Sequence, residues 1–399
     1  MRSDVAIVGA DRTAFGELYE REPLALIEEA FLNVSKNCGI YKEGGVSRKD
    51  LEGCFLSTYF LQQTNKIGSP DGFVSEKMGI HVPIQISRSF SSALSCAYDA
   101  IKSGKHNLVL VGGVEKMTDR LGKIRDDIML LEDPSSYYAG ATPETNHELM
   151  LREYVKKYGI QGEPLQSFNR TLAQIAVKNH RNATKNPKAQ YQKEINVDSV
   201  LRARGRRYLG TFDFAPVSDG ASAVLLASSK VASNYTDKPV YIVGLANATD
   251  FLSHQARKDR ERFLATRLAM QDALKMAGVG KEQIGLLEVH DQSTFTEMIS
   301  LEDLGFAEDG KGWTEIRGSL ENNKPFYEIG GRPVYVNTNG GLKADGNPFG
   351  ATGGAQFCEV FQQLRGEAGE RQIKELKNGL VQEVEGFGIK ADVTILGVE

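Results

Sequence analysis

The sequence is short of thiols, of charge imbalance and of long apolar runs, and each shortage removes a class of protein. Its four cysteines, Cys38, Cys54, Cys96 and Cys358, are widely scattered and form no C-x-x-C pair, so a metal-ligand set is not indicated and a reduced, cytoplasmic setting is expected. The 48 basic and 52 acidic residues leave a net charge of -4, which gives no reason to expect nucleic acid or an anionic membrane as partner. An anionic ligand would then need a local basic patch. Nowhere do about 18 apolar residues follow one another, as a membrane-spanning helix requires. The first residues, Met1 to Gly9, enter a β-branched run without a basic segment and a long apolar stretch ahead of it, so no signal peptide is expected.

What is present describes a globular chain. Hydrophobic content of 41%, charged content of 25% and 41 glycines exclude disorder and predict many turns. A length of 399 residues predicts two or three domains, or two tightly joined lobes. Val5-Ala6-Ile7-Val8-Gly9 and Val240-Tyr241-Ile242-Val243-Gly244 both read as buried strands ending in glycine. An amphipathic helix follows each, Leu24 to Asn37 and Thr266 to Ala277. After each helix come a glycine-containing turn and a second apolar run, Leu51 to Phe55 and Ile284 to Val289.

The pairing continues. A Ser/Ala-rich helix from about Ser91 to Ser103 leads into Leu108 to Gly112, and a small-residue helix from about Ala351 to Leu364 leads to Gly379-Leu380-Val381. The chain thus reads as an internal duplication in which strand and helix alternate, which favours parallel sheets covered by helices. The segment from about Thr118 to Gly210 breaks the rhythm with charged helices and reads as an insertion in the first half. Its end, Arg202-Ala203-Arg204-Gly205-Arg206-Arg207, reads either as a solvated surface run or as a phosphate site.

Several segments spread over nearly the whole chain resemble the thiolase superfamily. They include Val111-Gly112-Gly113-Val114-Glu115-Lys116-Met117, Ala139-Gly140-Ala141-Thr142 and Pro216-Val217-Ser218-Asp219-Gly220-Ala221-Ser222-Ala223. Gly340-Gly341-Leu342-Lys343-Ala344 and Gly346-Asn347-Pro348-Phe349-Gly350-Ala351-Thr352-Gly353 continue the likeness. Val177-Lys178-Asn179-His180-Arg181-Asn182-Ala183 and Val289-His290-Asp291 resemble the archaeal and sterol-carrier-protein type more than the bacterial degradative type. The resemblance implies an α/β fold of two similar βαβαβαββ halves in a five-layered αβαβα arrangement, with an inserted loop domain carrying coenzyme A contacts. On this basis the first half spans 1–117 and 211–236, the loop domain 118–210 and the second half 237–399. It also implies a coenzyme A thioester as ligand without a tightly bound cofactor, and a homodimer or higher oligomer. A small zinc-ribbon and OB-fold protein, or a second thiolase chain, is the further partner the resemblance suggests.

The resemblance implies three catalytic groups, and none stands where the family has it. The acyl-carrying cysteine should open a helix, where the dipole favours its thiolate. That segment reads Ser87-Arg88-Ser89-Phe90-Ser91-Ser92-Ala93-Leu94-Ser95-Cys96, and two registers place either Phe90 or Ser87 on the cysteine. Cys96, about two turns into the expected helix, reads as a small core residue or, in a shifted register, as the nucleophile of an ordinary acyltransferase. Ser87 or Ser89 would need an adjacent base to act. The family's G-H-P motif reads Gly346-Asn347-Pro348; asparagine can donate to an oxyanion but cannot serve as a general base. The places for the second cysteine read Gln292-Ser293 and Gly386-Phe387-Gly388. His290-Asp291 survives, as a site pair or as a structural one.

Conventional thiolysis is therefore disfavoured, while the loop and glycine pattern for a pantetheine-sized ligand persists. Three readings follow. The first is carbon–carbon bond cleavage or formation beside a thioester without an acyl-cysteine. Its catalytic candidates are His290 and Asn347, with Ser89, Asp291, Gly346, Gly350 and Gly388 expected to meet the ligand. The second is a non-catalytic subunit of a complex, and the third an ordinary acetyl-CoA C-acyltransferase.

Overall fold

The computed structural model describes residues 3–38, 50–120 and 122–398, together with the backbone of 41–42 and 45–46. Met1 and Arg2, and most of the turn expected between Asn37 and Leu51, lie outside the described residues.

The first half contributes strands Val5–Arg12, Gly53–Ser57, Ile84–Ser87, Leu108–Lys116 and Asp219–Ser228. The second contributes Val240–Thr249, Leu286–Glu288, Arg332–Val336, Asn378–Glu385 and Lys390–Gly397. Within each half the strands lie side by side in the same order: third, second, fourth, fifth, first. The two first strands then pair antiparallel, Ala6 with Tyr241 and Ile7 with Val240, which joins the halves into one sheet. The duplication read from the sequence is thus a duplication of topology.

The alternation of strand and helix predicts parallel sheets, and here the structure differs. Only the second strand of each half is parallel to both neighbours; the fourth, fifth and first pair antiparallel. The reason is connectivity. Asn378–Glu385 turns back through Gly386–Ile389 directly into Lys390–Gly397, and a strand that returns without a crossover helix must run antiparallel. In the first half the insertion replaces that turn with a long excursion, yet the returning strand takes the same direction.

Helix Pro23–Asn37 covers the outer face of the first half's strands and Leu264–Ala277 that of the second's. Between them lie Phe90–Lys102 and Phe349–Arg365, giving five layers. Phe90, Leu94, Val111, Phe357 and Val381, drawn from both halves, share the central core. Burying such side chains contributes roughly 1.5–3 kcal/mol each, which makes the central layer the stabilising contact between the halves. Glycine matters most where Phe349–Arg365 meets the first sheet. A Cβ on Gly113 would stand 2.1 Å from the carbonyl oxygen of Gly350, and one on Gly350 would stand 2.8 Å from that of Ser57.

The insertion interrupts the first half in sequence but packs on the second half in space. Lys178 donates to Glu297 (2.6 Å) and to the Val336 carbonyl, while Asn179 donates to Asp291 (2.8 Å) and Glu297 (2.7 Å), all buried. Tyr154 donates to Glu302 (2.6 Å) and Asn182 to the Asn337 carbonyl. Much of the Lys-Asn-His-Arg-Asn run is therefore a tether. Among the described residues no helix is long and apolar enough to cross a membrane.

Candidate functional site

A cavity of about 820 Å³ opens between the insertion and the second half. His147, His180 and Phe214 from the insertion and its return line one side; Gln292, Lys343, Asn347 and Gly386 line the other. Of the catalytic and ligand-contact candidates read from the sequence, Asn347 is in this lining, and Gln292 and Gly386, from the two places read for the second cysteine, line it too.

Asn347 sits just before helix Phe349–Arg365. Its backbone N–H donates to Ser218 Oγ (2.8 Å), and its side-chain oxygen accepts from Thr352 Oγ1 (2.7 Å). The first fixes the backbone and the second the side chain, whose amide N–H groups have no partner among the described residues. Gly346 precedes it with a φ of 116°, left-handed backbone that favours glycine, against Phe15 and Ser218.

His290 is buried behind the wall. Its backbone N–H donates to Gln382, yet among the described residues neither ring nitrogen has a hydrogen-bond partner. Burial, and then the proximity of His147, holds its pKa down at about 3, so the ring is neutral. Asp291 accepts from the N–H of Leu342 (2.7 Å) and of Lys343 and from Asn179, which fixes the Gly340–Lys343 turn against the insertion. Burial pushes its carboxyl well above the usual range.

The sequence reading passed over His147. This imidazole reaches the cavity, with Nδ1 3.0 Å from Ser293 Oγ and the ring edge-on to Phe214 and Phe387. Burial lowers its pKa to about 4. No motif announces it, because it lies on helix Pro143–Lys157 in the charged insertion, and only packing brings it beside Gln292 and Ser293.

The segment expected to hold the nucleophile is closed. Ser87 ends its strand, Ser89 caps helix Phe90–Lys102, and Phe90 is the first helical residue. Ser89 Oγ accepts from the Ser92 N–H and donates to Glu385 Oε1 (2.6 Å). The N–H groups of Phe90 (3.3 Å) and Ser91 (2.7 Å) both donate to Glu383. The orphan amides at this helix start, where an anionic sulfur would sit, are thus taken by carboxylate and hydroxyl oxygens. The Phe90 ring is fully buried against Phe357 and the first turns of Phe349–Arg365. Burial pushes the Glu383 carboxyl up to about 7. Burial also raises Glu385, but hydrogen bonds from Ser89 and Ser92 and the charges of Lys390 and Arg88 bring it below its ordinary value. Cys96 lies six residues beyond Phe90, roughly 9 Å along the axis, half-buried against the central core.

The remaining expected ligand contacts are packed away from the cavity. Gly350 donates its N–H to Glu115 Oε2 (3.1 Å), and Gly388, in the final hairpin, lies against the Phe263 ring. In the basic run, Arg204 is locked in a buried two-pronged pair with Asp213 (2.7 and 2.6 Å), while exposed Arg207 lines the cavity mouth. The run therefore splits into a structural half and a cavity-facing half.

Residues 5–203 match the family described as thiolase, N-terminal domain, and residues 246–398 the thiolase C-terminal domain-like family. An acetyl-CoA acetyltransferase of Methanothermobacter thermautotrophicus is 34% identical over 98% of this chain and 99% of its own length. Its counterpart in Methanocaldococcus jannaschii is 31% identical over 98% and 95%. Among solved structures, the Ltp2-ChsH2(DUF35) aldolase superposes with a TM-score of 0.79 at 22% identity, covering 100% of this chain and 98% of the other. Human mitochondrial 3-ketoacyl-CoA thiolase superposes with a TM-score of 0.73 at 17% identity, covering 100% and 99%.

Proposed function

The chain belongs to the thiolase superfamily, and from that premise we propose that it binds coenzyme A thioesters and makes or breaks a carbon–carbon bond beside the thioester without forming an acyl-cysteine. One observation carries the reading. The first position of helix Phe90–Lys102 holds a sealed phenylalanine ring, while a cavity of about 820 Å³ remains open beside Asn347. Phe90 is the residue we place on the family's nucleophile, since it opens the helix, and Ser87 lies before it in the strand.

The chemistry left to such a site is retro-aldol cleavage, or retro-Claisen cleavage in which water or free coenzyme A adds directly to the β-carbonyl and takes the acyl group. In the retro-aldol case a base takes the proton of a β-hydroxyl, its electron pair becomes the new carbonyl, and the Cα–Cβ bond breaks. The released pair forms the thioester enolate, whose oxygen the Asn347 amide would hold before Cα is reprotonated. His147, which lines the cavity, is the imidazole placed to accept the proton, while His290, the base expected from the sequence, is buried behind the wall; both are neutral at neutral pH. The test is incubation of the protein with β-hydroxyacyl- and β-ketoacyl-CoAs, alone and with its partner chains. Cleavage products without any acylated peptide are expected; no turnover under every combination would remove the catalytic reading.

A second reading, a non-catalytic subunit, draws on the same imidazoles. With pKa values near 4 and 3 they hold a proton weakly. Leu130, Tyr138, Phe251 and Leu252 are also exposed large apolar side chains. Asp133, held by the Ser135 N–H and the Ser253 hydroxyl, ties the two loops that carry them. A complex with an unlike chain fits that surface and is in keeping with the name Ltp2-ChsH2(DUF35) aldolase. The zinc-ribbon and OB-fold protein or a cysteine-bearing thiolase chain is the partner proposed, in a cytoplasmic setting, where Cys54, Cys96 and Cys358 stay reduced. Self-association would use the open edge strand Ile84–Ser87, with half-exposed Ile86 upon it. Co-purification with activity found only in the complex, and surviving Asn347→Ala, would favour this second reading.

A further inference from the structure

Lys343 is a buried ammonium with no direct ion pair among the described residues; burial lowers its pKa to about 8, outweighing the attraction of Asp213 and Asp291 from beyond 4.0 Å. It is 2% exposed, lines the main cavity, and among the described residues has no carboxylate oxygen within 4.0 Å of its Nζ. Its nearest polar neighbour is His180 Nε2 at 3.5 Å, and the Tyr191 ring lies 5.7 Å away. His180 donates its Nδ1 proton to the Lys193 carbonyl (2.9 Å), which fixes the tautomer and turns the Nε2 lone pair towards the lysine. The nearby acids are already engaged. Asp213 is held by Arg204, Thr294 and the Gly210 N–H, and Asp291 by Asn179 and two backbone amides.

The acids on the cavity wall are matched as well: Glu144 by Arg125 (3.1 Å), Glu148 by Arg152 (3.2 Å) and Glu132 by Asn146. A cation taken out of water without an anion costs several kcal/mol, and such a cost is retained where a ligand supplies the missing charge. Position selects the kind of anion. Lys343 is a buried lining residue four positions before Asn347, the residue proposed to meet the thioester oxygen, whereas Lys193 and Arg207 are exposed lining residues and suit phosphates.

Resting on the coenzyme A reading, we propose that Lys343, set by His180, is a specificity residue that binds a carboxylate carried on the acyl group, so that the preferred ligand is an acidic acyl thioester. The test is calorimetric titration of wild type and Lys343→Met with glutaryl-CoA, pentanoyl-CoA and free coenzyme A. Wild type should bind glutaryl-CoA at least about tenfold more tightly than pentanoyl-CoA, the size of one charge-assisted hydrogen bond, and Lys343→Met should lose that preference. Equal affinity of wild type for the two esters, or a preference that survives Lys343→Met, overturns the proposal. An equal loss for all three ligands also overturns it, because the lysine then serves a phosphate of coenzyme A. If no coenzyme A compound binds wild type, that reading fails, and acetic anhydride labelling of wild type decides the carboxylate site. Protection of Lys343 by free glutarate but not by glutaramide supports it; no protection overturns it. Removing an unpaired buried cation should also leave the melting temperature of ligand-free Lys343→Met no lower than that of wild type.

Discussion

The two central helices begin in opposite ways. At Phe90–Lys102 the start is shut: a serine cap, two amides given to Glu383, and an aromatic ring filling the space. At Phe349–Arg365 there is no side-chain cap, one amide goes to Glu115, and Asn347 just ahead of it faces the cavity. The arrangement is reciprocal, since the fourth strand of each half lends a buried glutamate to the helix of the other. The contrast teaches that a duplicated scaffold can seal one helix start with an aromatic ring while leaving a polar side chain on a cavity at the other. Closing the first costs nothing in packing, because the phenylalanine adds to the central core.

The strongest way to break the contrast is Phe90→Ala. Opening the sealed end should cost about 3–5 kcal/mol of stability in urea titrations, as for other fully buried aromatics, and should leave ligand binding in the cavity within a few-fold of wild type. Loss of binding in a protein that still folds would mean that the closed end belongs to the ligand site. Asn347→Ala probes the open end. If the amide holds an enolate oxygen, kcat should fall by roughly 10²–10³, about 3 kcal/mol, with little change in melting temperature. An unchanged rate would move the chemistry away from Asn347.

Glu383→Gln sharpens the contrast through pH. The folded carboxyl titrates at about 7, raised by burial from an ordinary 4.5, so the folded state holds the extra proton between those values. Its contribution to stability is then full below pH 4.5 and declines as pH rises towards 7, by roughly 3 kcal/mol at most. Glutamine should remove that part of the slope in thermal melts taken from pH 4.5 to 8, and an identical slope would show that Glu383 does not titrate there. The smallest effect is expected from Ser89→Ala, about 1 kcal/mol from the lost cap, without change in ligand affinity.

Much of the fold was legible because its signals are local. The paired β-branched runs, the amphipathic helices and the glycines where backbones approach each announce themselves within a few residues, and the duplication appears once they are laid side by side. Strand direction was not legible, since Asn378–Glu385 and Lys390–Gly397 read as two buried strands whether or not a helix joins them. The site divided in the same way. Phe90, Ser87 and Asn347 could be picked out by position in a motif, and the structure puts Phe90 at the start of a helix capped by Ser89 and Ser87 at the end of the strand before it. His147, Glu383 and the unpaired state of Lys343 had no signal, for each depends on partners more than 100 residues away or on the absence of one.

By itself, then, the sequence determined which elements form and that they form twice. Only the tertiary structure decided which polar groups meet a cavity and which are spent on one another. A carboxylate, an imidazole or an ammonium takes its charge and its availability from what burial leaves around it, and those neighbours are assembled from distant parts of the chain.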